Sequence, residues 1–486
     1  MDRPRGEDIA SGRQPSSSMG LSIRRVTNAT FVLRFATGLT GALLIFLLAD
    51  FPQYGGSEIS AFTIGVLTAL FYAAELILSP PFGLLSDRVG HHRVMQIGPV
   101  FGLVAVVLTA LVAEVELGPL LVAVPVLVGS LPLLALTRLL EGASTAASVP
   151  SALGYVAVAT SGNEALRGRA SSRFEGATIA GLALGFAAAG PLWTVLGPVA
   201  FLANAVVYAI ALGLFRWRVP DVQASASAPL RAQGGWQRYR RLLGVSRVWL
   251  LAPTWIALNA GLGLYTSQTL FQLVRTPDPR FADQALVGGF DPLLVTLAFV
   301  AGGAVFFVGL AFWGRRFTAM RRTTMIFYGV AGGVLFVFAA LALNHSGEAP
   351  MAFIVLTAAG LGVGLFLIAG ATPAALGLLA DVSESFPDDR GAVMGLYSVF
   401  LALGQITGAL IGAAAAEAYA FDGILMATLA LQGVALLPLA RLRRFELLFQ
   451  ATPASDPDPE TVVVDLAVTR AYRVEAPEPS GEADPG

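Results

Sequence analysis

Apolar residues run in stretches of about 20 between position 29 and position 440, parted by short polar or charged pieces. A helix crosses the hydrocarbon core of a bilayer in about 20 residues, so each stretch predicts one membrane span. Twelve spans follow, near 29–49, 61–82, 94–113, 131–160, 171–193, 197–215, 248–272, 290–312, 323–343, 351–380, 391–416 and 421–440. Segment 114–137 breaks the spacing. Its apolar piece, Leu120 to Val128, is interrupted by Pro125, Gly129 and Pro132. It reads equally as the end of the third span, the start of the fourth or an interfacial piece. Residues 1–28, Ser-rich with arginines, and 446–486, rich in Pro, Asp and Glu, predict disordered tails. The pattern is that of an all-α integral membrane protein.

Composition narrows the chemistry. Of 486 residues, 55% are hydrophobic and 13% charged, against about 25% charged in soluble domains. No cysteine is present, which excludes disulfides, thiolate catalysis and Cys-ligated metals. The three histidines, His91, His92 and His345, all fall between spans, so no metal site is expected. The chain has no lysine, so it cannot form the Gly-x-x-x-x-Gly-Lys-(Ser/Thr) phosphate loop of an ATP-driven pump. No catalytic constellation stands out. We therefore expect no enzyme, no cofactor and no nucleic-acid partner. Abundant Ala, Gly and Arg suggest a GC-rich, prokaryotic genome. The first apolar run is too long for a signal peptide's core and reads as the first span.

Arginine placement predicts orientation. With the N-terminus in the cytoplasm, 28 of 31 arginines fall in cytoplasmic segments. Arg275 and Arg280 lie outside and Arg138 within a span, while the outer loops carry Asp50, Glu58, Glu114, Glu116, Asp278, Asp283 and Glu348. This bias puts both termini in the cytoplasm. Segment 216–247, with its Ala-Ser repeats, Gly234-Gly235 and several arginines, divides the spans into six and six. The predicted units are a bundle at 29–215, a central cytoplasmic loop at 216–247 and a bundle at 248–445.

One charged turn carries most of the specific signal: Gly83-Leu84-Leu85-Ser86-Asp87-Arg88-Val89-Gly90-His91-His92-Arg93. It resembles the loop between the second and third helices of the major facilitator superfamily, Gly-x-Leu-(Ala/Ser)-Asp-Arg-x-Gly-(basic)-x-(basic), with His91 where a basic residue is usual. The resemblance implies two pseudo-symmetric six-helix bundles related as a parallel repeat. Trp313 to Arg322 is the degenerate echo in the second half, keeping the glycine and the basic residues but no Asp. The resemblance further implies a gate made by Gly83, Asp87, Arg88, Gly90 and Arg93. Asp87 would lie against the N-terminus of the eleventh helix, near Gly391, where the helix dipole favours a carboxylate. Arg88 would pair with Asp381 or Glu384.

Other candidates lie inside the spans. Arg138 opens Arg138-Leu139-Leu140-Glu141-Gly142, similar to the family's fourth-helix pattern of Arg followed four residues later by Gly. A charge within a span is costly and marks a pathway or a paired site. Arg138 and Glu141 share a helical face and can neutralise each other. Glu75, mid-span, is a candidate proton carrier; the alternatives are a structural pair with Arg34 or Arg138, or a snorkelling or interfacial placement. Arg34 itself is expected to snorkel to the cytoplasmic interface. Tyr265, Gln268 and Gln272 share one face of the seventh span and are candidate substrate contacts, with Tyr397 and Gln405 on the eleventh. The glycines of the fifth span (Gly176, Gly181, Gly185, Gly190) and of the eleventh (Gly404, Gly408, Gly412) read first as packing seams.

The function implied is secondary transport of a small organic solute by alternating access. The first-half charges point to a proton-coupled exporter. An importer or uniporter of a sugar, organic acid or other nutrient is the alternative, and a non-transporting receptor or assembly factor on the same fold is a third. The expected setting is the lipid bilayer of a prokaryotic cell membrane, with the chain as a monomer.

Overall fold

The computed structural model describes residues 16–54, 57–113, 131–160, 164–221, 246–317, 319–347, 349–384 and 390–451. Among them there is no strand. The helices are α1 (Ser16–Ala49), α2 (Ala61–Val89), α3 (Ile97–Val112), α4 (Leu131–Ala159), α5 (Glu164–Leu196), α6 (Ala200–Gly213), α7 (Ser246–Val274), α8 (Pro292–Arg316), α9 (Arg322–Asn344), α10 (Met351–Ile368), α11 (Ala371–Glu384), α12 (Arg390–Leu436) and α13 (Leu439–Ala451). Together α10 and α11 make the tenth predicted span, and α12 holds the eleventh and twelfth. Eight described segments are long and apolar enough to cross a membrane, and two of these, Arg173–Arg218 and Ser398–Arg444, each contain two consecutive spans. The remaining two spans, α4 and α7, are the polar helices that carry Arg138–Glu141 and Gln268.

Several expected boundaries move. Residues 16–28 are helical rather than a disordered tail, because Ile23, Val26 and Ala29 continue the buried stripe of α1 while Arg24 stays exposed. At the other end α13 is ordered through Ala451, and its Glu446 is buried. The rest of both tails, most of segment 114–137 and the central loop from 222 to 245 lie outside the described residues. The charged turn is not bracketed by two bends. Residues Gly83 to Val89 form the last turns of α2, and the chain reverses only at Gly90 (φ 100°), in the left-handed region that favours glycine.

The two halves repeat one packing device. A methyl group at Gly181 would meet the Phe31 carbonyl oxygen, and one at Gly185 that of Phe35, so α5 lies directly on α1. In the second half, Gly404 and Gly408 stand in the same way on the carbonyls of Ile256 and Ala260, which joins α12 to α7. Both glycine runs are packing seams except at Gly176, which has nothing within 4 Å.

The halves meet through a second pair of equivalent contacts. Gly65 of α2 sits on the Ala409 carbonyl and the Ala413 side chain of α12, and Gly190 of α5 sits on the Pro292 carbonyl and the Thr296 side chain of α8. Phe186 and Phe299 stack edge-to-face between the same two helices, their ring centroids 5.2 Å apart. All these contacts lie near the Ala61 end of α2, remote from the Gly90 turn, so the bundles close on each other at that far end.

The bend inside α12 is held by the loop between α7 and α8. Ala420 adopts φ 48°, a strained value for a residue with a Cβ. Gln284 fixes it. Its Oε1 accepts from the backbone nitrogens of Phe421 (3.0 Å) and Asp422 (3.2 Å), and its Nε2 donates to the Tyr419 carbonyl (3.0 Å).

Candidate functional site

The first half contains a charged cluster at the middle of its helices. Arg34, near the centre of α1, donates from Nη1 to the Thr145 hydroxyl of α4 at 3.3 Å. Thr145 lies one turn beyond Glu141, and Glu141 forms an ion pair with Arg138 three residues before it. Arg138 and Glu141 are 7% and 1% exposed. The guanidinium of Arg138 also lies over the Phe71 ring of α2, 5.9 Å from its centroid.

Gly142 explains this approach. A methyl group there would strike the Phe71 carbonyl oxygen and the Ala74 side chain, so only glycine lets α4 settle against α2 at this level. The Arg-x-x-x-Gly spacing thus joins a charge to the close contact that buries it.

Tyr72 and Glu75 project from α2 beside this contact. Glu75 is half-buried and lies in the field of Arg34. Tyr72 interacts with Thr266 of α7, in the opposite half. The cluster therefore borders the space between the bundles. Behind it, Asn204 of α6 donates to Thr40 Oγ1 (2.7 Å) and the Ala36 carbonyl (3.0 Å), which fixes α1 from the back.

The cluster is not saturated. Nε of Arg34, Nε of Arg138 and Oε1 of Glu141 are buried without a hydrogen-bond partner. Unpaired polar atoms are costly in a low-dielectric interior, and this cluster is where they gather in the first half. Among the described residues no group of three His, Cys, Asp or Glu side chains could hold a metal ion.

The structure separates the predicted site residues into three groups. Glu75, Arg138 and Glu141 come together, and Arg34 joins them. Arg34, expected to snorkel, bonds to Thr145 of α4, and its Cβ lies close to Gly181 of α5. Sequence reasoning also missed Tyr72, Thr145 and Thr266. The spacings 72/75 and 138/141/145 were the available signal.

The seventh-span residues do not converge. Gln268 is fully buried and donates from Nε2 to the Ala61 carbonyl at 3.1 Å, in the far-end seam. Gln272 accepts from Arg275 at 3.4 Å, close to the end of α7. Tyr265 accepts from Thr428 at 3.0 Å and stacks on Phe336, within its own half. Gln405 is buried in the α7–α12 seam, with Gly263 against its backbone. Gln268 thus bonds across the halves at the far end and Gln272 bonds within its own half, and neither reaches the charged cluster.

At the turn, Arg88 and Arg93 are exposed. His91 bonds from Nδ1 to Ser86 Oγ (3.1 Å) and packs under Gly154, while His92 bonds to the Phe215 carbonyl (2.9 Å). The side chains of Asp87, Asp381, Glu384 and Tyr397 lie outside what the structure describes. In the second half the corresponding turn borrows an acid from α13. The Glu446 carboxylate accepts from the backbone nitrogens of Arg322 (2.6 Å) and Thr323 (3.2 Å) and from the Thr323 hydroxyl (2.5 Å), capping α9.

The chain is similar in structure to the nucleoside transporter NupG. One crystal structure matches with a TM-score of 0.59 at 15% identity, covering 87% of this chain and 98% of the other. That of a point mutant of the same transporter matches with a TM-score of 0.58 at 14% identity, covering 86% and 99%. At this identity the likeness establishes the fold. No curated protein matches the sequence significantly. Residues 26–382 match the sequence profile of the Major Facilitator Superfamily, a family of membrane transporters and not of enzymes. With that match over most of its length, and with the helical architecture described above, the chain belongs to the Major Facilitator Superfamily.

Proposed function

We propose that this transporter is a proton-coupled exporter of small organic compounds, acting as a monomer in a prokaryotic cell membrane with both termini in the cytoplasm. One observation carries the reading: Glu75, half-buried at mid-helix, sits on α2 beside the Gly142 contact that brings in Arg138 and Glu141, and shares its helix turn with Phe71, under the Arg138 guanidinium. With Glu75 ionised, the charges of Arg34, Glu75, Arg138 and Glu141 sum to zero. With Glu75 protonated the site is positive and repels a cationic solute. Proton and solute then compete for one carboxylate, which is the requirement for antiport. The arginine bias supports the orientation.

Alternating access would rock the units 29–215 and 248–445 about this site. The charged turn would be the near-side gate, Asp87 and Arg88 engaging the α12 N-terminus and Asp381 or Glu384. The seams that join the halves near the Ala61 end of α2 support a gate at the opposite end, as alternating access requires. Asp87→Asn should impair flux and leave membrane insertion intact; normal flux removes the role.

The unpartnered Nε atoms of Arg34 and Arg138 favour a second reading, uptake of an organic acid or other anionic nutrient. The deciding experiment is the thermal stability of the purified protein against lipophilic cations, organic acids, sugars and nucleosides at pH 6 and pH 8. A ligand that binds only the folded state raises the melting point. The exporter reading expects cations to shift it, more at pH 8. Shifts from organic acids alone transfer the conclusion to the second reading.

A further inference from the structure

The far-end closure is built around the first turn of α2. Ser60 caps that helix, accepting from Thr63 N at 3.1 Å. A single cap leaves other N-terminal amides of the helix without partners. One of them, Phe62 N, donates to Glu417 Oε2 of α12 at 3.3 Å. The helix dipole makes this a favourable place for a carboxylate. From the other side Gln268 of α7 donates to the Ala61 carbonyl at 3.1 Å, and its own Oε1 is buried without a partner. One turn deeper, Gly65 admits the α12 backbone. Two helices of the second half thus grip adjacent peptide groups at one helix end of the first.

We propose that Gln268 and Glu417 are the latch of the far-side gate: positioning residues that hold the transporter closed there by gripping the N-terminus of α2. Opening that side requires α2 to leave α7 and α12, so both bonds break together and the Ala61 and Phe62 groups pass to water. Neither side chain touches the charged cluster. The latch sets the balance between the two access states and leaves solute chemistry alone. It follows from alternating access and is independent of the coupling ion or the solute.

The absence of cysteine makes the test direct. Thr296 lies in the other seam, buried against Gly190, and its hydroxyl has no partner, so Thr296→Cys is a nearly isosteric reporter away from the latch. The probe is a membrane-impermeant, negatively charged thiol reagent applied to the reconstituted full-length protein. Removing one net hydrogen bond shifts an equilibrium roughly three- to tenfold. Gln268→Leu and Glu417→Ala should each raise the labelling rate at Thr296→Cys by about that factor. Glu417→Lys, which sets a cation against the helix N-terminus, should raise it further, and Glu417→Asp should restore the slow rate. Melting curves confirm that each variant is folded; if Gln268→Leu does not fold, the exposed Glu417 series decides alone. Labelling that stays at the parental rate in folded Glu417→Ala and Glu417→Lys overturns the latch. So does faster labelling confined to a second reporter, Ala409→Cys, in the α2 seam, which reduces both bonds to local packing.

Discussion

Arg34 on α1 and Thr145 on α4, more than 100 residues apart in the chain, are joined by a hydrogen bond of 3.3 Å. The bond places a third charge beside the Arg138–Glu141 pair, on the helix level where α2 carries Glu75. A pair that neutralises itself has little to offer a solute. The pair together with Arg34 and Glu75 forms a set whose net charge changes with one proton.

Arg34→Ala should therefore lower transport at least tenfold, because it removes the positive charge that balances the set. Flux is measured with the compound that gives the largest thermal shift. An interfacial arginine would give a neutral substitution, so unchanged flux contradicts the mid-span role. Arg34→Lys should recover part of the activity, because an ammonium keeps the charge and loses the fork.

Glu75→Gln should make the ligand-induced thermal shift equal at pH 6 and pH 8. In the parental protein one exchanged proton changes the apparent affinity by at most about tenfold per pH unit. A pH dependence that survives the substitution assigns the proton to another group.

Glu446→Ala removes the carboxylate that caps α9 and leaves two backbone amides and a buried hydroxyl unpaired. Loss of such a cap costs about 2 kcal/mol. The melting temperature should fall by several degrees, and Glu446→Gln should lie between the two. An unchanged melting temperature would show that α13 contributes nothing to the bundle.

Asp50, at the far-end mouth, lines a cavity of about 330 Å³ with Asp291 and Phe290. Burial raises its pKa above the usual carboxylate value, and the bond from Trp193 Nε1 (3.2 Å) only partly offsets this. A raised folded-state pKa means that the folded protein binds the proton more tightly, so this group favours folding in acid and opposes it as pH rises through that pKa. Asp50→Asn should keep the Trp193 bond and melt at an equal or higher temperature at pH 7, with the gain shrinking on acidification. A gain that grows in acid reverses the assignment.

Gly408→Val should prevent correct folding, because the new side chain would strike the Ala260 carbonyl. Gly433→Ala, where nothing lies within 4 Å, is the tolerated control. Equal expression of the two variants would dissolve the α7–α12 seam as a packing device.

Class and repeat were legible in the local pattern of residues. Runs of about 20 apolar residues admit only helices in a bilayer, because lipid offers no partner to a backbone amide. The Gly83–Arg93 pattern and Arg138 with Gly142 pointed to the family and to the fourth helix. These signals are local, and a local spacing survives any global arrangement. Where the polar side chains meet came from the packing of helices. Gln268 and Tyr265 lie three residues apart on α7, yet one bonds to α2 and the other to Thr428 within its own half. Arg34 resembled an interfacial arginine in sequence, and only the packing of α1 on α4 gave it Thr145 as a partner. Helical periodicity gives the face a residue occupies. Which neighbour covers that face depends on contacts between helices far apart in sequence, here set by glycines such as Gly65, Gly142 and Gly181 that let particular backbones touch.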